Sequence, residues 1–209
     1  MPADFEKQSY WHDRFASETS FEWLISSSEF VSIIEPFLKA LDPSSAHILN
    51  LGSGTSDLQN HLRSRGFHRV CNLDYEPLAV ERGRQLEEKA FGDVVTQYTV
   101  ADATQLAHAG PEIGRRADGK FDLVIDKSTV DAVSCGGQAA LLRMAQGVRN
   151  RLADDALWIS LSFSASRFDN HQLPFHVETI AKIPAPKIKT TDPDIYHWCY
   201  LLRPIRDRP

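Results

Sequence analysis

Residues 48–57 read ILNLGSGTSD, a short apolar run that breaks at Gly52 and Gly54 and then continues with polar residues. The apolar run predicts a buried strand, and the two glycines allow a tight turn with positive backbone φ. Residues 55–57 (Thr, Ser, Asp) favour a helix start, because their side chains accept hydrogen bonds from first-turn N–H groups. A strand, a glycine turn and a helix in this order predict a nucleotide site beyond the carboxyl end of the strand.

The residues of this turn distinguish three kinds of nucleotide ligand. A dinucleotide fingerprint has a third glycine where Asp57 stands, so that a pyrophosphate can approach the helix N-terminus. A P-loop is excluded because no Gly-Lys-Ser or Gly-Lys-Thr follows. S-adenosylmethionine (AdoMet) has an adenine, a ribose and a positive sulfonium but no phosphate, so an acid at this position is compatible with it. The turn favours AdoMet, with an ordinary strand-to-helix turn as the alternative.

Acidic residues follow four successive apolar segments, at Asp57, Asp74, Asp102 and Asp126. Asp74 lies 20 residues after Gly54, and a carboxylate at this strand tip can accept hydrogen bonds from both ribose hydroxyls of NAD or AdoMet. Asp102 ends a third segment and suits the exocyclic amine of adenine. Four acids around one glycine turn predict an AdoMet-dependent methyltransferase.

Composition and charge restrict the class of protein further. The chain has 209 residues, enough for one core, with 42% hydrophobic and 24% charged residues. The formal net charge of −5 and the lack of a Lys/Arg run argue against a nucleic-acid substrate. The three cysteines are widely spaced and indicate a reducing compartment, and no apolar run has a membrane-spanning length. We therefore predict a cytoplasmic protein with no membrane partner, and the histidine spacing predicts no metal site.

Predicted strands and helices alternate from residue 46 onward. The strands are predicted at 46–51, 69–74, 94–100, 120–126 and 155–162, and the helices at about 55–65, 76–91 and 137–152. This alternation predicts a parallel, doubly wound α/β sheet with right-handed crossovers. Two further strand-like segments, 176–183 and 195–202, flank a proline-rich turn and predict a C-terminal antiparallel hairpin. We predict a single domain over residues 1–209, with residues 43–209 as the AdoMet-binding core.

The first 42 residues are dense in aromatic side chains and precede the first strand. Trp11 and Phe15 are four residues apart, which places them on one face of a helix. Residues 29–41 predict a second, amphipathic helix. One interpretation of residues 1–42 is a helical cap that packs on the sheet. The other is a lid whose aromatic rings also close over the sulfonium, which cation–π attraction favours.

Five motifs match those of a known family. They are YWHDRF at 10–15, FEW at 21–23, GSGTS at 52–56, DY at 74–75 and, most specific of all, FDLVIDKSTVDA at 121–132. Through these motifs, residues 9–204 resemble the seven-strand AdoMet-dependent methyltransferases that methylate lysines of translation elongation factor 1-alpha. Ser128 stands where that family usually has glycine. The resemblance implies a Rossmann-like seven-stranded sheet with an N-terminal helical cap.

The resemblance also implies site residues and a substrate class. By position, the residues that line the cofactor are Trp11, Phe15, Trp23, Gly52, Asp74, Tyr75, Asp102, Ala103 and Lys127, and the glycine turn adds Gly54. The place of Lys127 at a strand tip also favours a local structural contact for this residue. The implied activity is protein-lysine N-methylation of a translation elongation factor. A small-molecule N- or O-methyltransferase is one alternative, and a catalytically silent partner subunit of the same fold is another.

Asp126 is the predicted catalytic residue. It ends an apolar run and precedes a series of hydrogen-bonding side chains at 127–131, so we predict that its carboxylate lies beside the transferring methyl group. There it would accept hydrogen bonds from a substrate amine. A contact with the cofactor is the alternative role for Asp126. In either case a lysine substrate must react as the neutral amine, a form that apolar surroundings favour.

Overall fold

The computed structural model describes residues 4–205, apart from residues 109, 111, 112, 115 and 188. The helices are α1 (Gln8–Ser17), α2 (Ser27–Lys39), α3 (Leu58–Arg63), α4 (Pro77–Phe91), α5 (Thr129–Cys135) and α6 (Gln138–Arg151). The strands are β1 (Ile48–Leu51), β2 (Val70–Asp74), β3 (Gln97–Val100), β4 (Phe121–Lys127), β5 (Leu152–Ser162), β6 (Phe175–Pro184) and β7 (Tyr196–Pro204). Across these described ranges, none of the helices has both the length and the apolar composition that a bilayer span requires.

The seven strands form one sheet in the order β3-β2-β1-β4-β5-β7-β6. Strands β1 to β5 pair in parallel, whereas β7 is antiparallel to both β5 and β6. The doubly wound sheet and the C-terminal hairpin that the sequence predicts are therefore confirmed. The strand order reverses between β1 and β4, and ligands of open α/β sheets bind at such a switch point.

Apolar helices cover both faces of the sheet. On one face α2 and α3 supply buried side chains such as Phe30, Ile34 and Leu62, and on the other face α6 supplies Leu141 and Met144. Every residue of β1 and β2 is buried, as expected for parallel strands covered on both sides. The carboxyl ends of these strands therefore form a fixed platform.

Two elements differ from the sequence expectation near the switch point. Strand β4 continues through Lys127, one residue beyond the predicted end at 126. Helix α5 follows at once, because Ser128 takes a left-handed conformation (φ +73°) that turns the chain directly into the helix. A seven-residue helix of this kind has too few turns to give a helical pattern in the sequence.

Candidate functional site

A cavity of about 480 Å³ opens at the switch point, a volume typical of small-molecule sites. Its lining includes all ten residues that the sequence predicts as cofactor ligands: Trp11, Phe15, Trp23, Gly52, Gly54, Asp74, Tyr75, Asp102, Ala103 and Lys127. The structure thus brings together side chains from the cap, the glycine turn and three strand ends. Their individual contacts show which of them are available to a ligand.

The glycine turn forms the floor of the cavity. Gly52 and Gly54 have φ values of +59° and +53°, in the left-handed region that favours glycine. A Cβ atom at Gly52 would lie 2.2 Å from Oγ1 of Thr129, so only glycine leaves room for the start of α5. The Thr129 hydroxyl donates to the Leu51 carbonyl over 2.7 Å and fixes this close approach. The turn therefore presents backbone rather than side chains to a ligand.

Asp74 is the acid that the geometry fits best to a ribose. Its Oδ2 accepts the Gly54 N–H over 2.9 Å, and its Oδ1 accepts the Glu76 N–H over 3.0 Å. Each carboxylate oxygen keeps a second lone pair, which matches the two hydroxyl donors of a ribose. Burial raises the pKa of Asp74 to about 6, although the two backbone N–H groups oppose this shift. The residues present thus fit the adenosine part of AdoMet.

Asp102 stands at the next strand end and is exposed. Its Oδ1 accepts both the N–H and the hydroxyl of Thr104, over 2.7 Å and 2.8 Å. These bonds hold the carboxylate at the start of the short 3-10 helix Ala103–Gln105. Within the described residues Oδ2 accepts no hydrogen bond, so it can accept one from an adenine amine.

The opposite side of the cavity is aromatic. The Trp11 ring lies 5.5 Å from Phe15 and 5.9 Å from Trp23, measured between ring centroids, and its Nε1 donates to the Phe5 carbonyl over 2.7 Å. The Arg14 guanidinium lies 4.7 Å from the centroid of the Trp23 ring. These rings form an apolar surface over the glycine turn, and this surface can exclude water from the cavity.

Polar contacts attach the cap to the strand ends. Glu18 accepts the Thr55 hydroxyl over 2.7 Å at the end of the glycine turn. The Gln8 side chain donates to the Tyr75 carbonyl over 2.6 Å, next to Asp74. Both contacts join α1 to the edge of the cavity, so the cap and the sheet enclose it together.

Lys127 lines the cavity, but its ammonium group is bound by the cap. Nζ donates to the carbonyls of Trp23 and Ile25 over 3.0 Å and 3.2 Å, and it lies 2.6 Å from a carboxylate oxygen of Glu22. Burial lowers the pKa of Lys127, and the Glu22 charge opposes this shift. The predicted cofactor contact of Lys127 stays a prediction, and the contacts present are those of a structural anchor.

Asp126 does not line the cavity, so the geometry does not support its predicted place beside the transferring methyl group. Its side chain is fully buried, and its oxygens accept the Val130 N–H over 3.0 Å and the Trp158 Nε1–H over 2.8 Å. The physical reason is strand alternation: β4 runs through Lys127, so Asp126 points to the face that α5 covers. Burial raises the pKa of Asp126 to about 7. Asp126 is placed to anchor α5 rather than to contact substrate.

The lining also includes residues that the sequence does not predict as cofactor contacts. Among them are Phe5, Glu6, Leu24, Ser128, Thr129, Asp131, Cys135, Arg143 and Phe163. Asp131 is buried and accepts the Phe163 N–H over 3.1 Å and the Arg167 Nε–H over 3.0 Å, so it orders the loop after β5. Phe163, in contrast, is 55% exposed and marks the open side of the cavity. Its only sequence signal is its position directly after a predicted strand.

Comparison with known proteins finds methyltransferases among the relatives of this chain. The chain is 62% identical to methyltransferase srdJ of Neurospora crassa over 204 residues, which are 98% of this chain and 85% of that protein. It is 29% identical to EEF1A lysine methyltransferase 4 of Bos taurus over 148 residues, which are 69% of this chain and 52% of that protein. No protein-family profile matches the chain.

Among solved structures, the chain resembles magnesium protoporphyrin IX methyltransferase from Synechocystis PCC 6803 with bound AdoMet. The TM-score is 0.65 at 12% sequence identity, and the match covers 97% of this chain and 98% of that chain. At this identity the likeness concerns the fold. The solved neighbour is a methyltransferase with AdoMet bound, in agreement with the ligand that the turn and Asp74 predict.

Proposed function

Since the chain belongs to the AdoMet-dependent methyltransferases, we propose that it methylates the side-chain amine of a lysine in a protein substrate. A translation elongation factor is the first candidate substrate, because the similarity to EEF1A lysine methyltransferase 4 supports it. The observation that carries the proposal is the open side of the cavity. There the 55% exposed Phe163 gives the passage into the cavity an apolar surface for the aliphatic stem of a lysine.

The proposed reaction needs alignment and a neutral amine. Bound AdoMet supplies a methyl carbon already activated by the sulfonium. The chain's own part is to orient the two reactants and exclude water, which can lower the barrier substantially. Asp74 fixes the ribose, the aromatic rings of the cap cover the site, and the apolar passage disfavours the ammonium form of lysine. The nitrogen lone pair forms the new C–N bond, the C–S bond breaks, and the methylated ammonium then loses its proton to water.

This scheme assigns no general base to the chain. Because the neutral amine is the reactive form, kcat/KM should rise with pH towards the pKa of free lysine, about 10.4. An enzyme base would instead produce a plateau above its own pKa. A pH–rate profile under single-turnover conditions distinguishes the two.

A small-molecule N- or O-methyltransferase is the second candidate. The largely apolar lining beside the half-exposed Phe163 favours it, because an aromatic acceptor would bury its surface there as well.

Incubation with AdoMet labelled at the methyl group and a cell lysate distinguishes these candidates. We expect label in one protein band, and acid hydrolysis of that band should yield methylated lysine. Asp74→Ala serves as the control variant and should label nothing at the same AdoMet concentration. Label confined to the small-molecule extract would overturn the lysine proposal and favour the second candidate.

A further inference from the structure

The turn at Leu24 is held in an unfavourable conformation. Its φ is +66°, and among the described residues the only other non-glycine residue with positive φ is Ser128, which also lines the cavity. Leu24 is the central residue of a three-residue turn closed by the Ile25 N–H and the Trp23 carbonyl over 2.8 Å. Such turns are rare and strained, and they persist only where their surroundings hold them.

Lys127 supplies those surroundings. Its ammonium donates to the carbonyls on both sides of Leu24, those of Trp23 and Ile25. Only 5% of the Lys127 side chain is exposed, so these carbonyls and the Glu22 carboxylate replace the water that an ammonium normally binds. A buried ammonium that bridges two carbonyls two residues apart restrains the backbone between them.

Glu22 connects the glycine turn to this clamp, which consists of the Lys127 ammonium and the carbonyls of Trp23 and Ile25. One of its oxygens lies 2.6 Å from Lys127 Nζ, and the other accepts the Asp57 N–H over 3.3 Å and the Ser27 hydroxyl over 2.9 Å. The end of β4, the start of α3 and the start of α2 are thereby joined to the turn that carries Leu24. This ion pair is therefore one of the contacts that fix the cap, beside Glu18–Thr55 and Gln8–Tyr75.

We propose that Lys127 is a positioning residue that acts on the cofactor site through the Leu24 turn. It holds this turn in its left-handed conformation and so sets the Trp23 ring and the Leu24 side chain in the cavity wall. The proposal requires AdoMet binding but not a lysine substrate. It differs from the direct cofactor contact that the family resemblance implies for Lys127.

A double-mutant cycle on AdoMet affinity tests this role. Lys127→Met removes the charge and keeps most of the length of the side chain, and it is combined with Leu24→Gly or Leu24→Ala. Glycine adopts positive φ without strain, so in the Leu24→Gly background the turn no longer needs the clamp. Alanine loses the same side chain beyond Cβ but keeps the strain, and it is the matched control.

We expect Lys127→Met to weaken AdoMet binding by about tenfold in the wild-type and Leu24→Ala backgrounds, and by less than about threefold in the Leu24→Gly background. In the protein without AdoMet, Lys127→Met should also speed hydrogen exchange of the Ile25 amide, and Lys127→Arg should restore part of the protection. Thermal melting confirms that each variant is folded. If Lys127→Met does not fold, Glu22→Gln takes its place in the same cycle.

An equal loss of affinity in all three backgrounds would overturn the proposal, because a direct contact between Lys127 and AdoMet does not depend on residue 24. Unchanged exchange of the Ile25 amide would overturn it as well.

Discussion

The two sides of the cavity are built in different ways. The strand wall, formed by Gly52, Gly54 and Asp74, consists of backbone and one buried carboxylate at the ends of β1 and β2. The cap wall, formed by Trp11, Phe15, Trp23 and Leu24, consists of side chains outside the sheet. The sheet's hydrogen bonds and two apolar layers fix the strand wall. The cap wall is joined to it through contacts such as Glu18–Thr55 and Lys127–Glu22.

The strand wall therefore binds the polar groups of the ligand, and the cap wall closes the cavity over it. In α1, only Phe15 is buried, and the helix has no side-chain cap at its N-terminus. An element with so little buried apolar surface opens at low free-energy cost compared with core strands. We therefore expect the strand wall to be preformed and the cap wall to be completed by the ligand. The lid interpretation of residues 1–42 stays a prediction.

The largest expected effect concerns Asp126, beneath the strand wall. Burial raises its pKa from an ordinary 3.8 to about 7, so the folded state binds this proton more tightly than the unfolded chain does. The stabilisation that this tighter proton binding gives the folded state is fully present below pH 4 and is lost as the pH rises towards 7. Relative to Asp126→Asn, the wild-type free energy of unfolding should fall by on the order of 4 kcal/mol across this window.

Urea unfolding of both proteins from pH 4 to pH 8 measures this difference. The exposed Asp169 provides the matched control, because Asp169→Asn makes the same change of side chain at a site that is not buried. Parallel curves for wild type and Asp126→Asn would show that Asp126 is not held protonated in the fold.

The next largest effect concerns the strand wall itself. Asp74→Ala should weaken AdoMet binding by roughly 2–4 kcal/mol, because two charge-assisted hydrogen bonds to the ribose are lost together. Isothermal titration calorimetry measures the affinity, and thermal melting shows whether the variant is folded. Unchanged affinity in a folded variant would place the ribose elsewhere.

The pH dependence of AdoMet affinity also tests whether Asp74 binds the ribose. The ribose hydroxyls donate to the ionised carboxylate, whose pKa is about 6 without ligand. Affinity should therefore fall as the pH drops below 6, by up to about tenfold per pH unit. Asp74→Asn should remove this dependence. A titration from pH 5 to pH 8 that gives the same slope for both proteins would contradict the assignment.

A smaller effect is expected for the cap wall. Trp11→Ala should cost about 1–2 kcal/mol of AdoMet affinity, the scale of the lost apolar burial and cation–π attraction. Phe91→Ala, an aromatic residue that lies on α4 outside the cavity lining, is the control and should leave the affinity unchanged. If Trp11→Ala cost as much as Asp74→Ala, the proposed division between the two walls would be wrong.

The smallest effect is expected at Glu18, one of the residues that join the two walls. Glu18→Gln removes the charge that pairs with Arg14 over 2.6 Å and faces the Thr55 hydroxyl. Partly exposed pairs of this kind contribute about 0.2–1 kcal/mol, so the affinity should change by no more than that. A loss of several kcal/mol by calorimetry would show that α1 is far more rigidly attached than its contacts indicate.

The strand wall was predictable because its signals are local. The glycine turn and the acids Asp74 and Asp102 each stand directly after an apolar segment. In a parallel sheet the carboxyl ends of neighbouring strands meet at one edge, so a pattern along the chain becomes a site in space. The aromatic cap was predictable from the density of aromatic residues before the first strand and from the Trp11/Phe15 spacing, whereas the contact of its rings with the cofactor came from the family resemblance.

The positions of Asp126 and Lys127 were not predictable in the same way. The end of β4, at residue 126 or at residue 127, decides whether Asp126 or Lys127 points towards the cap. The run FDLVIDK does not specify where the strand ends. Lys127 finds its partner in Glu22, 105 residues earlier in the chain, and such a pair leaves no periodic pattern. Contacts between side chains that are far apart in the sequence therefore determine the positions of such residues, which the local motifs do not specify.

Hydrogen exchange with and without AdoMet tests the central claim most directly. We expect the amides of β1 and β2 to exchange slowly in both states. The amides of residues 8–17 should exchange readily without AdoMet and become protected when it is added. Asp74→Ala, at the same AdoMet concentration, should leave residues 8–17 unprotected. Equal protection of residues 8–17 with and without AdoMet would contradict closure of the cap by the ligand, because the cap wall would then be as preformed as the strand wall.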